Sequence, residues 1–454
     1  MPQEHDPQSL SDLDMAHHLH PFADMRVQQQ HGVRVMVEGD GLYVTDSAGH
    51  RYLDAFAGLW CVNVGYGRRE IADAVHRQMT ALPYYNTFFG TTTEPAARLA
   101  EHICRLAGPR MNHVFFTNSG SEANDTWLRM ARLYWRCRGE PERTVVISRH
   151  NAYHGSTIAG ASLGGMRHMH EQGDLPIPGI EHIGQPYWYG EAGNLSREAF
   201  GLARARELEE KILEIGPDRV AAFVAEPIQG TGGVIVPPST YWPEIQRICK
   251  RYGILLAVDE VITGFGRLGH WFGYQHYGIE PDFCAIAKGL SSGYQPIAGV
   301  IVADRVADVL INDAGAFQHG FTYSGHPAAA AAALANLAIL EREKLVERVR
   351  DDVGPYFQAA LRSLEDQLMV GETSAVGLLG AVQLTLEKST RTRFSRPGDI
   401  GMVVRNFCFR DGVILRAAAD RILLAPAFTI TRDEIDHIVR TLRAVLDEVV
   451  AELS

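Results

Sequence analysis

Short apolar runs recur along this chain at Thr144 to Ile147, Val220 to Ala225, Ile254 to Val258, Cys284 to Ala287 and Ile297 to Val302. They are partly β-branched and are separated by stretches of helical periodicity. Strands that are apolar throughout need cover on both faces, so the pattern predicts an α/β chain built on a mostly parallel sheet. In such sheets ligands bind beyond the carboxyl ends of the strands. Two of the runs end in charge: Ile254 to Val258 leads into Asp259-Glu260, and Phe283 to Ala287 leads into Lys288.

An unpaired buried ammonium is costly, and desolvation turns such an amine into a usable nucleophile. Schiff-base chemistry is the obvious use. Pyridoxal phosphate requires a lysine for its aldehyde and an aspartate under its pyridine nitrogen, so that the ring can accept electrons. On these residues alone, two ordinary strand ends facing water remain the alternative. The adjoining small-residue turns, Gly289 to Gly293 and Val261 to Arg267, let backbone approach a ligand and favour a site.

A phosphate seat is visible in the same terms. Val114 to Thr117 is strand-like, Asn118 to Ser121 is a small-residue turn, and Glu122 to Arg138 has helical periodicity. A turn feeding a helix N-terminus offers free amides and the positive end of the dipole to an anion. Ser119 to Glu122 also fits a capping box, and the two readings are compatible. Glu226 ends the run Val220 to Ala225, either as a solvated carboxylate or as a polar contact in a site. Val261 lies on the same side of an extended chain as Asp259. Trp60, Phe88 and Phe89 are pocket walls or core aromatics. Arg416 closes Val413 to Leu415, and its guanidinium fork suits a carboxylate.

The balance of 46% hydrophobic and 21% charged residues among 454 is that of a globular enzyme, and a net charge of −11 argues against nucleic-acid or anionic-membrane partners while welcoming a cationic amine. Six cysteines without paired spacing read as free thiols in a reducing cytoplasm. Met1 to Asp6 lacks the basic start and apolar core of a signal peptide. Ala328 to Leu340 is too short to span a bilayer and reads as a buried helix. Met36 to Leu53 looks like a small meander. Ala375 to Leu384 and Val413 to Arg416 read as strands of a smaller domain, closed by a helix from Thr431 to Leu453. His17-His18 and His20 invite a metal reading. No metal is expected, because no cysteine or carboxylate cluster accompanies them in the sequence.

Asp259 to Arg267 together with Ala287-Lys288-Gly289 resembles the signature of class III aminotransferases, pyridoxal-phosphate enzymes of fold type I. The resemblance runs from about His17 to the C-terminal helix and is strongest to the amine:pyruvate, or omega, transaminases, including putrescine-type polyamine transaminases. It implies a large domain with a mostly parallel seven-stranded sheet flanked by helices, plus a smaller α+β domain. The implied division is 1–85 as an N-terminal segment joining the small domain, 86–325 as the cofactor domain and 326–454 as a linking helix and C-terminal part.

The resemblance also implies roles. Lys288 and Asp259 are catalytic, and Ser119, Gly120 and Ser121 form the phosphate loop. Tyr153 packs on the cofactor ring beside His154, with Val261 on the opposite face and Glu226 nearby. Phe321 and Thr322 reach the phosphate of a neighbouring subunit. Trp60, Phe88, Phe89 and Tyr153 line the substrate pocket, and Arg416 is a mobile carboxylate clamp. Ornithine-type and GABA-type relatives carry Gln where this chain has Ile262. The reaction implied is ping-pong transfer from an amine donor to a keto acid such as pyruvate, in a homodimer or a dimer of dimers. An aminomutase, racemase or decarboxylase of the same fold stays open, as does a cofactor-binding regulator without turnover. So does the donor: putrescine, spermidine, cadaverine, β-alanine or an aryl-alkyl amine.

Overall fold

Three β-sheets organise the chain in the computed structural model, which describes residues 7–453; the Met1 to Asp6 stretch read for a signal peptide lies outside them. The first sheet begins with the meander β1 (Met36–Asp40), β2 (Tyr43–Asp46) and β3 (Arg51–Asp54). The large sheet contains β4 (His113–Thr117), β5 (Val145–Arg149), β6 (Ile180–Ile183), β7 (Val220–Ala225), β8 (Leu255–Asp259), β9 (Phe283–Ile286) and β10 (Ala298–Val302). The last strands are β11 (Val370–Val376), β12 (Leu379–Leu384), β13 (Val413–Ile414), β14 (Arg416–Ala418) and β15 (Arg421–Leu424).

The large sheet has seven strands in the order β4-β10-β9-β8-β7-β5-β6, and β10 alone runs antiparallel to its neighbours. Every residue of β7, β8 and β9 is buried, as strands covered by helices on both faces must be. The expected α/β architecture, a mostly parallel seven-stranded sheet covered by helices, is therefore present, with smaller sheets beside it. The edge strand β6 has no counterpart among the apolar runs because Glu181 and His182 interrupt its pattern.

Two expected strands are divided. Ala375 to Leu384 spans the end of β11, a tight turn and β12, the turn being made by Gly377 at φ +56°. Val413 to Arg416 is shared between sheets: β13 pairs with β3, whereas β14 pairs with β15. Leu415 is the crossover, so Arg416 starts a strand of the third sheet instead of ending one of the first.

A buried arginine ties these parts together. Arg267 donates from Nη2 to Asn63 Oδ1 (2.6 Å) and from Nη1 to the carbonyls of Leu378 (3.2 Å) and Pro426 (2.5 Å), with its guanidinium 4.7 Å from the Phe428 ring centroid. One side chain thus joins the segment before the large sheet, the loop after β8 and the C-terminal sheet. Removing it leaves buried acceptors without donors, each costing about 1–3 kcal/mol. Arg267→Leu should lower the urea midpoint of the enzyme by an amount equivalent to about 3 kcal/mol; a midpoint equal to wild type would show that the clamp is not structural.

Candidate active site

β8 and β9 lie side by side and parallel, with Asp259 opposite Ala285, so the end of one strand carries Asp259 and the end of the other runs into Lys288. Lys288 has φ +40°, in the left-handed region that a side-chain-bearing residue enters at a cost on the order of 1–3 kcal/mol. Its turn is held from the helix Pro327–Arg342. There Asn336 Nδ2 donates to the carbonyls of Gly289 and Leu290 (both 2.9 Å), and Asn336 Oδ1 accepts from Ser292 Oγ (2.7 Å). Gly289 is required by close approach, since a Cβ there would lie 2.4 Å from Asn63 Nδ2.

Lys288 and Asp259 both line one cavity of about 370 Å³. Burial lowers the Lys288 pKa and the nearby Arg416 charge lowers it further, while Cys61, Asp259 and Glu226 oppose the shift. Asp259 moves in the direction that keeps it charged. Burial would raise its pKa, but a hydrogen bond and charge from His154, the Asn124 amide and the Val261 amide together outweigh burial and hold it below the usual range. Those contacts are His154 Nδ1 at 2.8 Å, Asn124 Nδ2 at 2.9 Å and Val261 N at 3.0 Å.

The adjacent carboxyl behaves oppositely. Glu260 accepts from Thr263 Oγ1 and from the amides of Gly273 (2.8 Å) and Tyr274 (2.6 Å), yet burial pushes its pKa up to about 7. It faces away from the cavity and fastens the loop after β8. Glu226 is also raised by burial, although the charges of His154 and Arg149 and the Gly230 amide counter it. Its carboxylate accepts from Tyr153 N (3.3 Å) and Gly230 N (2.5 Å), so it stands within the site and not in solvent.

At the opposite end of the cavity the helix Gly120–Cys137 begins. Ser119 Oγ caps it by accepting from Glu122 N (3.2 Å), while the Glu122 carboxylate accepts from Asn118 N (2.7 Å) instead of closing a box on Ser119. The amides of Gly120 and Ser121 have no acceptor among the described residues and are free for an anion. A Cβ on Gly120 would come within 2.9 Å of Val261 Cγ2, so the cradle tolerates nothing larger than glycine. Tyr153, His154 and Val261 line the space between this anion seat and Asp259.

Residues 25–446 match the family model for aminotransferase class III. The chain is a class III aminotransferase. It is similar to the putrescine–pyruvate aminotransferase of Pseudomonas aeruginosa, with 54% identity over 97% of this chain and 96% of the relative. It is also similar to the diaminobutyrate–2-oxoglutarate transaminase of Halomonas elongata, with 44% identity over 91% and 90% of the two chains. Among solved structures it superposes on the omega transaminase of Pseudomonas jessenii in complex with PMP, with a TM-score of 0.95, 40% identity and coverage of 97% and 98%. A second match is the (S)-enantioselective omega-transaminase of Thermomicrobium roseum, with a TM-score of 0.94, 42% identity and the same coverage.

Class III aminotransferases use pyridoxal phosphate, and this cavity suits it. An anion seat with two free amides lies at one end, an ionised carboxylate and a desolvated amine at the other, and His154 Nε2 is buried without a partner among the described residues. Ile262 is a buried apolar side chain of the cavity wall.

The remaining aminotransferase residues divide into two groups. Trp60 is buried beside the cavity, with its ring centroid 5.9 Å from Lys288 Nζ and 5.2 Å from Arg416 Cζ. Phe88, Phe89, Phe321 and Thr322 are elsewhere. Phe88 packs on Gly320, Tyr84 Oη donates to the Thr322 carbonyl (2.7 Å), and Thr87 Oγ1 donates to the Ser324 carbonyl (3.3 Å). Phe89 is 97% exposed. The four residues form one surface unit and do not wall this chain's own cavity.

Three residues of the site have no signal in the sequence pattern. Cys61 lines the cavity, Phe22 of the N-terminal arm meets Tyr153 edge-on at 6.2 Å, and Asn124 joins its parts. Besides Asp259, Asn124 Nδ2 reaches the carbonyls of Gly120 (3.1 Å) and His154 (2.9 Å), and its Oδ1 accepts from Trp127 Nε1 (2.7 Å).

Both buried carboxyls are open to test. Asn124→Asp would set a second carboxylate against Asp259 and raise its pKa, slowing the single-turnover reaction with an amine roughly tenfold or more while circular dichroism stays unchanged; wild-type rates would make Asn124 a packing residue. For Glu260, the raised value means that the folded protein holds a proton which the unfolded chain has lost between about pH 4.5 and about 7. Its contribution to stability therefore falls as pH rises through that window and stays low above it. Denaturation midpoints of wild type and Glu260→Gln should diverge across that interval, and parallel curves would contradict the assignment.

Proposed function

We propose that this aminotransferase moves an amino group from a primary amine or diamine to pyruvate or a similar keto acid, releasing an aldehyde or ketone and alanine. The observation that carries this reading is Arg416. It is a half-buried guanidinium with no carboxylate partner among the described residues, its Cζ 5.2 Å from the centroid of the same Trp60 ring that flanks Lys288. A fork without a partner beside the nucleophile suits the carboxylate of an acceptor, and the donor needs none. The similarity to a putrescine–pyruvate aminotransferase supports the same pairing.

Bound pyridoxal phosphate would supply the carbonyl that takes up the amino group and the ring that accepts the electron pair. The chain does the rest. The amides of Gly120 and Ser121, with the Ser119 and Ser121 side chains, would hold the cofactor's phosphate. Tyr153 and Val261 would pack against its ring, and Asp259, kept ionised by His154 and Asn124, would hold a proton on the ring nitrogen. Lys288, its pKa lowered by burial, would hold the aldehyde and, once freed, move a proton to and from the substrate carbon. Glu226 supplies a polar contact at the cavity wall. Arg416 pairs with the keto-acid carboxylate in the second half-reaction and withdraws for a bare amine.

The exposed unit of Phe88, Phe89, Phe321 and Thr322 would complete the cavity of a second copy of the chain, in a homodimer or dimer of dimers. Nothing in the charge balance suggests a nucleic-acid partner, and among the described residues no helix is long and apolar enough to cross a membrane. A cytoplasmic setting suits the six free cysteines.

A panel of putrescine, spermidine, cadaverine, β-alanine and aryl-alkyl amines with pyruvate, read as alanine formed, tests the reaction; no alanine from any donor would refute it. Arg416→Ala should weaken pyruvate and alanine by about 2–3 kcal/mol while leaving the diamine half-reaction near wild type. Equal losses in both halves would make Arg416 structural.

A further inference from the structure

The histidines near the N-terminus do have a carboxylate beside them. Asp14 and His18 are four residues apart at the end of the helix Pro7–His17, and the chain then turns to bring His20 back. Asp14 Oδ1 lies 2.9 Å from His18 Nδ1 and Asp14 Oδ2 lies 2.5 Å from His20 Nε2, with all three ligand atoms within 4.8 Å of one another. The ring centroids of the two histidines are 4.3 Å apart.

Two imidazoles and one carboxylate match the donor set of zinc-type ions. Bonds of about 2.0–2.2 Å place neighbouring ligand atoms roughly 3.3 Å apart in a tetrahedral site, so each imidazole nitrogen and its carboxylate oxygen need to part by less than about 1 Å. On binding, each imidazole moves its proton to the far nitrogen, and solvent fills the remaining positions.

The cluster sits on the arm that reaches the cavity. Two residues beyond His20, Phe22 stands at φ +52° with its ring against Tyr153. Leu19 and Phe22 are 76% and 71% exposed within the single chain, so apolar burial inside that chain contributes little to holding the arm there. We propose that Asp14, His18 and His20 form a binding site for a divalent transition ion of zinc type, which clasps the N-terminal arm in place beside Tyr153.

The test uses the cofactor-loaded enzyme, freed of metal by dialysis and titrated calorimetrically with zinc chloride, in wild type, Asp14→Asn and the double variant His18→Ala/His20→Ala. Wild type should bind one zinc per chain that Asp14→Asn weakens and the double variant loses, and that zinc should slow tryptic cleavage after Arg26 in wild type alone. The altered residues are at the surface, and an unchanged circular dichroism spectrum certifies the fold. Zinc binding no tighter in wild type than in the double variant would overturn the site. Binding without protection of Arg26 would overturn the clasp.

Discussion

The interaction on which this structure depends is the ionised Asp259 carboxylate at the buried end of β8. A carboxyl in that position is neutral unless something specific keeps it charged, and Glu260, one residue on, shows the default by rising to about 7. His154, Asn124 and the Val261 amide reverse the outcome at Asp259. Each comes from a different element: the loop after β5, the first turns of the phosphate helix, and the chain leaving β8. The charge state of one carboxylate therefore requires the relative placement of all three.

The same logic applies at Lys288. Burial at the end of an apolar strand lowers the pKa of its amine, the direction that makes it a readier nucleophile. The strained turn that aims it is secured by Asn336 from a helix that is otherwise mostly alanine and leucine. Desolvation moves a carboxyl up and an amine down, so the fold assists it at one residue and opposes it at the other. Opposite corrections on neighbouring strand ends are how a single cavity holds both an ionised carboxylate and an amine of lowered pKa.

Much of this was legible in the chain. Unbroken apolar runs marked the interior strands because two covered faces leave no room for alternation, and their terminal charges marked the site. Polar edges blurred that signal, which is why β6 has no counterpart among the runs. Positive-φ turns and strand sharing are decided by tertiary pairing, so the Gly377 hairpin and the crossover at Leu415 were not legible. Asn124, Asn336 and Asp14 act through partners distant in sequence or across a turn, and nothing in helical periodicity separates them from solvated polar residues. Phe88 and Thr322 show a further limit, since local pattern does not separate residues that wall the chain's own cavity from residues that lie away from it.

The central claim is that one desolvated lysine at the end of β9 carries the cofactor. The chain contains five lysines, Lys211, Lys250, Lys288, Lys344 and Lys388, so borohydride reduction of the pyridoxal-phosphate-loaded enzyme and peptide mapping of the product read the answer directly. The account predicts the reduced cofactor on Lys288 alone. Label on any of the other four, with Lys288 unmodified, would contradict it.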